Sequence, residues 1–281
     1  MFCQDPGGTA GIVPVYHALQ KEAGITVQLF ANGTAIRLLT NAGEKFVSVE
    51  KPAQVLGGFG VPDILVTSMC TGGGVGRDLI PVVRPEALSI GLQDYWGGQL
   101  SSAFTDQLYW PAVICVNDTI GEAGVRKAWP AFERKNIVQT GYPALDRYAG
   151  YNVDEVGMTG RALLGAHGHW PIVLFAGQLR HSAHALAELV TCLNDIGEPV
   201  FLVAREHRLM RENAPEEVPG WETALGGFKS GTVIDPTRAD VQQSVAAATV
   251  VVSMYSTMLV EAAALRKQNI SLLYPEYGMA E

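Results

Sequence analysis

Long apolar runs are missing from this sequence: none reaches about 18 uninterrupted residues, so no segment is expected to cross a membrane as a helix. The opening residues, Met1-Phe2-Cys3-Gln4-Asp5, carry neither a basic stretch nor a long apolar core, which argues against a secretory signal there. Cysteine is scarce. Cys3, Cys70, Cys115 and Cys192 stand singly, with no CxxC pair and no histidines at metal-ligand spacing. Three of them fall in apolar or strand-like stretches, where cysteine acts as a small buried hydrophobe. The pattern predicts reduced thiols, no structural zinc and a cytoplasmic setting. Charge is sparse too, at 17% of residues, and its balance is -8. Without a basic excess, general binding to nucleic acid or to an anionic membrane is not expected. An acidic average still leaves room for a local anion site built from backbone N–H groups.

Apolar residues are plentiful, 48% of 281, enough to bury two sizeable cores. Short β-rich runs alternate with helical patterns. Strands are expected at Phe2–Gln4, Ile25–Phe30, Phe46–Val49, Asp63–Thr67, Ala87–Leu92, Ala112–Val116 and Ile137–Gln139, with helices over Thr9–Ala23 and Asn32–Asn41. After a turn-rich stretch between Tyr142 and Tyr151 the rhythm restarts. There, helices are expected at Val153–Leu164, Ser182–Leu193, Ala239–Ala246 and Thr257–Leu265. Strands are expected at Pro171–Phe175, Val200–Ala204, Thr232–Ile234, Val250–Ser253 and Ile270–Leu273. Nearly all-apolar strands separated by helices predict parallel sheets covered on both faces. The reading is an α/β protein of two lobes, residues 1–145 and 146–281.

Two glycine loops invite a cofactor reading that their spacing does not support. Asp5-Pro6-Gly7-Gly8-Thr9-Ala10-Gly11 has proline where a dinucleotide fingerprint needs its first glycine. Thr71-Gly72-Gly73-Gly74 lacks the Lys-Ser/Thr of a P-loop. Gly7 and Gly8 still permit close backbone approach to a ligand and positive φ, or they form a plain turn.

Three segments resemble the GT-B superfamily of nucleotide-sugar glycosyltransferases and the related non-hydrolysing sugar-nucleotide epimerases. Asp5 to Gly11 looks like the glycine-rich first strand-to-helix loop of that fold. Ile137-Val138-Gln139-Thr140-Gly141-Tyr142-Pro143 is similar to its V-x-T-G-x-P strand and turn. Val250 to Ala262, with Ser253-Met254-Tyr255-Ser256-Thr257 and Glu261, looks like its C-terminal sugar-nucleotide motif. The resemblance implies two Rossmann-like lobes facing a central cleft, with the acceptor on the first and the nucleotide-sugar on the second. Members usually run longer, so it also implies either a short member or a chain incomplete at its ends.

Within that frame, Tyr255, Ser256 and Thr257 would meet the diphosphate at a helix N-terminus, where unpaired N–H groups and a partial positive charge suit phosphate. Ser256 would equally serve as an ordinary N-cap. Glu261 sits in an apolar helix and, if buried, needs a polar partner; the resemblance gives it the nucleotide ribose. The resemblance also turns Gly177, Gln178 and Arg180 toward the donor phosphates. It places Arg205 and His207 where members carry a His-Pro pair, although proline is absent here. For both arginines a solvated surface role is the plain alternative.

A hydroxyl acceptor profits from a nearby carboxylate base. Asp5, Asp94 and Asp118 all end expected strands, and Asp94 stands out because Tyr95, Trp96, Gly97 and Gly98 resemble a sugar-stacking platform; a loop-capping role is the alternative for each. His17 reads as packed within the first helix, and His167, His169, His181 and His184 as loop or helix-surface residues. No DxD pair suggests a metal, and no cofactor beyond the donor is expected. The function implied is a metal-independent transferase of hexosyltransferase type, in polysaccharide biosynthesis, acting on an unidentified acceptor. A UDP-sugar epimerase, or a non-catalytic nucleotide-sugar-binding or scaffold protein, are the alternatives.

Overall fold

The computed structural model describes residues 1–70, 72–96 and 102–277. The chain divides after Arg147 into two compact units, Met1–Arg147 and Tyr148–Glu281. Thr71 of the second glycine loop, and Gly97 and Gly98 of the expected platform after Asp94, lie outside the described residues.

The first unit runs β1 (Phe2–Cys3), α1 (Pro6–Leu19), β2 (Phe30–Ala31), α2 (Thr34–Asn41), β3 (Val47–Ser48), α3 (Pro52–Phe59) and β4 (Ile64–Ser68). It continues with α4 (Val75–Val83), β5 (Leu88–Leu92), β6 (Val113–Val116), α5 (Thr119–Ala128) and β7 (Ile137–Gln139). Its strands form one parallel sheet in the order β3-β2-β1-β4-β5-β6-β7. Alternate residues of each strand feed opposite faces. Leu65 packs with Val75, Leu79 and Ile80 on the α3–α4 side. Val66, its neighbour, packs with Ile12, Tyr16 and Leu39 on the α1–α2 side.

The second unit runs α6 (Val153–Leu164), β8 (Ile172–Ala176), α7 (Ser182–Ile196), β9 (Val200–Arg205), α8 (Met210–Asn213) and α9 (Glu217–Gly226). It ends with β10 (Gly231–Ile234), α10 (Val241–Ala247), β11 (Val250–Ser253), α11 (Thr257–Ala264) and β12 (Gln268–Ser271). Its parallel sheet has the order β10-β9-β8-β11-β12. Every residue of β8 is buried, as a central strand covered on both faces requires. Helix ends follow their residues closely. Asn152 caps α6 by accepting from the Glu155 N–H, and Gly165, left-handed at φ 71°, closes it. Asp240 and Gln243 form a reciprocal capping box on α10.

Several expected bounds shift, among them β12, at Gln268–Ser271 rather than Ile270–Leu273, and two on the first unit. The first helix starts at Pro6 rather than Thr9, because Asp5 caps it through the Gly8 N–H at 2.7 Å and Pro6 fits its first turn. Gly7 and Gly8 are therefore helical, and neither has positive φ. The second strand is confined to Phe30–Ala31, since its neighbour β1 offers only Phe2 and Cys3 to pair with.

Both sheets reverse their winding once, between β1 and β4 in the first and between β8 and β11 in the second. Open α/β sheets bind ligands outside the carboxyl ends of their strands at such a switch point. Topology alone thus singles out one crest on each unit.

Candidate functional site

On the second unit the β8 and β11 strands lie in register, Ser253 opposite Ala176. The Ser253 hydroxyl donates to the Ala176 carbonyl at 2.6 Å. It also accepts from Gln178 Nε2 and from the Ser256 N–H, each at 3.4 Å. Gln178 is buried, and its own N–H is held by the Ser182 hydroxyl. The polar floor of the crest is thus built by Gln178 and Ser253. Ser256 caps α11 by accepting the Met258 N–H at 3.3 Å. The Thr257 N–H, at the first helical position, has no hydrogen-bond partner among the described residues. Tyr255 beside it is 57% exposed. A helix start with an open N–H and an exposed aromatic ring is suited to an anion carrying a planar group.

Glu261 lies one turn further along α11 and is 8% exposed. Its carboxyl accepts a hydrogen bond from the hydroxyl of Tyr148, also buried, so the polar partner that its burial demands includes a neutral donor.

The neighbouring loops are more occupied. Arg205 ends β9, and its Nη1 donates to the Pro236 carbonyl (2.6 Å), the Ala239 carbonyl (3.0 Å) and the Ser244 hydroxyl (3.1 Å). Burial pulls its guanidinium below the usual range. Gly177 donates its N–H to the Arg205 carbonyl at 2.8 Å, and a Cβ there would lie 2.8 Å from the Trp221 ring. Its small size accommodates Trp221. His207 Nδ1 accepts from the Leu209 N–H at 3.3 Å, and burial and Arg208 lower its pKa. Arg180 is exposed and pairs with Glu216 at 3.3 Å. The ends of β8, β9 and β11 therefore bring Gln178, Arg205, His207 and Ser256 to one edge of the sheet, with Arg180 turned to a carboxylate of its own unit.

On the first unit, Asp94 follows β5 and is 6% exposed, with Oδ1 unpartnered among the described residues. A Cβ on Gly7 would lie 3.3 Å from Asp94 Oδ2, so the glycine leaves the start of α1 close against this carboxyl. Burial first, and then the nearby Asp5 carboxyl, push Asp94 up to about 7. Burial likewise drives the neighbouring Cys70 thiol up to about 12, with Asp5 adding to the shift. Gln4 Oε1, Asn32 Oδ1 and Asn117 Nδ2 are buried without partners among the described residues. They follow β1, β2 and β6, so with Asp94 four side chains, each with one unpartnered polar atom, stand along one carboxyl edge of the sheet, while Gln4 Nε2 donates to the Gly73 carbonyl at 2.6 Å. Such groups cost about 1–3 kcal/mol each unless something meets them.

The other acidic candidates have structural duties. Asp5 caps α1. Asp118 caps α5 through the Gly121 N–H at 2.9 Å and accepts from Trp96 Nε1 at 2.9 Å. Trp96 packs edge-on against Tyr142, with ring centroids 5.8 Å apart.

His17 departs from its expected packed place, whereas His181 and His184 lie at the cap and on the surface of α7. His17 is half-exposed on α1, where its Nε2 lies 2.9 Å from Glu44 Oε1, because the opposite face of the helix carries the apolar residues. His181 adopts a left-handed backbone at φ 63° and stacks on Tyr277 with centroids 3.8 Å apart. The N–H groups of His181 and Ala183 both donate to Glu217, at 2.7 and 2.9 Å, so a carboxylate already fills the start of α7. Sequence spacing could not reveal that cap, since Glu217 lies 36 residues away. Among the described residues, no group of three or more His, Cys, Asp or Glu is placed to hold a metal ion, and no helix is long and apolar enough to cross a membrane.

Two α/β units, each with a parallel sheet and one switch point, are the fold this chain shares with solved structures. Solved structures of that fold match nearly the whole chain. A putative UDP-N-acetylglucosamine 2-epimerase from Listeria monocytogenes aligns with TM-score 0.72 at 14% identity, over 97% of this chain and 78% of that one. S. aureus MnaA, solved with UDP, aligns with TM-score 0.68 at 11% identity, over 97% and 78%. A glycosyltransferase from Rickettsia africae aligns with TM-score 0.63 at 11% identity, over 96% and 77%. No protein-family model and no curated protein sequence matches the chain.

Proposed function

We propose that this chain is a glycosyltransferase that binds a nucleoside diphosphate-sugar on the β8–β11 crest of its second unit and delivers the sugar to a hydroxyl acceptor. The observation that carries the donor side is the start of α11. An open Thr257 N–H, the Ser256 hydroxyl and the Gln178–Ser253 pair converge at the topological switch point. The diphosphate would sit at that helix start, the base against Tyr255, and the ribose hydroxyls at Glu261. As the sugar leaves, charge gathers on the diphosphate, and fixed N–H dipoles stabilise it there. Arg205 and His207 would border the donor.

The acceptor is assigned to the first unit, where Asp94 would take the proton of the attacking hydroxyl. The unpartnered Gln4 Oε1, Asn32 Oδ1 and Asn117 Nδ2 atoms beside it suit a polyhydroxylated acceptor. An epimerase needs several acid–base carboxylates, whereas Asp5 and Asp118 are committed to helix caps. That favours transfer over epimerisation.

Titration calorimetry with UDP, GDP, CDP and ADP should show binding with one preferred base, and Ser256→Ala and Glu261→Ala should each weaken it. Wild-type affinity in both variants would remove the site. Incubation with the matching sugar nucleotide and candidate acceptors should release free nucleoside diphosphate. Interconversion of two sugar nucleotides without release would make the protein an epimerase instead.

A further inference from the structure

Glu261 is a buried carboxyl at the place where the proposed reading puts the ribose, yet the Tyr148 hydroxyl already donates to it. Ribose hydroxyls and a tyrosine hydroxyl are the same kind of donor, and a carboxylate offers them the same lone pairs. The helical rise puts Glu261 about 7.5 Å beyond Ser256, and helical side chains lean back toward the N-terminus. This is the reach of a ribose whose diphosphate sits at the helix start.

Tyr148 has somewhere to go. It borders a cavity of about 500 Å³ lined also by Tyr151, Asp154, Arg266 and Lys267. Cavities of this size admit whole small molecules, so a phenol ring fits. The cavity is polar enough to receive the hydroxyl, since Asp154 and Lys267 face it. Tyr148 is also the first residue of the second unit, three residues ahead of Tyr151, whose hydroxyl donates to Gln242 at 2.7 Å and anchors that stretch to α10. The Tyr148 ring packs edge-on against that of Tyr151, with centroids 5.5 Å apart, and lies between Glu261 and the cavity.

We propose that Tyr148 is an autoinhibitory latch on the nucleotide site: its hydroxyl occupies Glu261 in the empty protein, and the vicinal diol of a ribonucleotide displaces it into the adjoining cavity. The proposal rests on the nucleotide reading and adds a regulatory element to it. The latch opposes weak or incomplete ligands, because only a ligand that replaces the hydrogen bond recovers what opening it costs.

The test is the UDP affinity of the full chain, wild type and Tyr148→Phe, by titration calorimetry. Removing the competing hydroxyl should tighten UDP about three- to tenfold, the equivalent of one net hydrogen bond. The gain should vanish for 2′,3′-dideoxyuridine diphosphate, which has no diol to offer Glu261. Unchanged or weaker UDP binding by a folded Tyr148→Phe protein overturns the latch while leaving the nucleotide site standing. No binding of UDP, GDP, CDP or ADP by either protein overturns the nucleotide reading and the latch together. If Tyr148→Phe does not fold, 3-fluorotyrosine at position 148 serves in its place: saturating UDP should move its fluorine resonance, and dideoxy-UDP should leave it unmoved. A resonance indifferent to UDP at saturation overturns the latch.

Discussion

Asp94 combines burial, one open carboxyl oxygen and a neighbouring acid, Asp5, and these raise it from 3.8 to about 7. The fold therefore holds a proton that the unfolded chain releases at lower pH. The stability this supplies is complete below pH 3.8 and is lost as pH rises through about 7. Asp94→Asn removes that dependence. Urea denaturation at roughly pH 5 and pH 8 should show the wild type losing about 3 kcal/mol more than the variant across the interval. Equal slopes would mean that Asp94 titrates as an ordinary surface acid. In its proposed role as base Asp94 works only when ionised, so the proposed turnover should climb through pH about 7, and Asp94→Asn should lower it about 10²- to 10⁴-fold. Some of this was legible in the residues: an aspartate ending an apolar strand and followed by aromatic residues is a visible pattern. Its burial and its closeness to Asp5 were not, because they depend on β1 and β5 ending at the same edge of the sheet. Likewise, Glu261 in an apolar helix announced a need for a partner, but Tyr148 stands 113 positions away in sequence.

At the scale of elements, glycine carries two opposite meanings that spacing does not separate. Gly157 and Gly160 lie on the face of α6 that meets α10, where a Cβ would fall 2.7 Å from the Ala246 carbonyl and 2.3 Å from that of Gln243. Backbone cannot yield as a side chain can. Gly160→Ala should separate the two helices and cost about 1–3 kcal/mol. Gly11, inside α1, has nothing within 4 Å of its missing Cβ. Gly11→Ala should instead gain about 0.5–1 kcal/mol of helix propensity. Thermal or urea unfolding of both variants checks the pair, and equal signs would refute the packing account. The same residues explain which elements could be read in advance. α6, β7 and β11 follow their periodicity to the residue, since their ends carry clear caps or turns. Pro52–Phe59 contains Gly57 and Gly58, Val75–Val83 contains Pro81, and Glu217–Gly226 contains Pro219 and Gly220. None of those three helices stands out by propensity. They form because packing against the sheet outweighs a cost of about 1 kcal/mol per glycine.

Across the whole molecule, each unit has its own parallel sheet, its own core and its own switch point, so each should report separately on what it binds. Hydrogen exchange can read both units in one experiment. Amides of β4, β5, β8 and β11, central in their sheets, should exchange most slowly, because their opening requires disruption of a core. Loop amides at the two crests should exchange quickly in the free protein. Saturating UDP should then slow the stretch Tyr255–Leu259, where the Thr257 N–H gains a phosphate partner, and the stretch Gly177–Ser182 beside it. The start of α1, from Asp5 to Gly11, should be unchanged, because Asp5 already satisfies the Gly8 N–H. A helix start capped by its own aspartate is a poor place for a second anion, whereas α11 is capped by a neutral serine. Protection centred on Asp5–Gly11 would move the nucleotide to the first unit and leave Asp94 without an acceptor to serve. Protection at both crests would follow only when an acceptor is added with UDP, and the second crest to respond should be the one lined by Gln4, Asn32, Asp94 and Asn117.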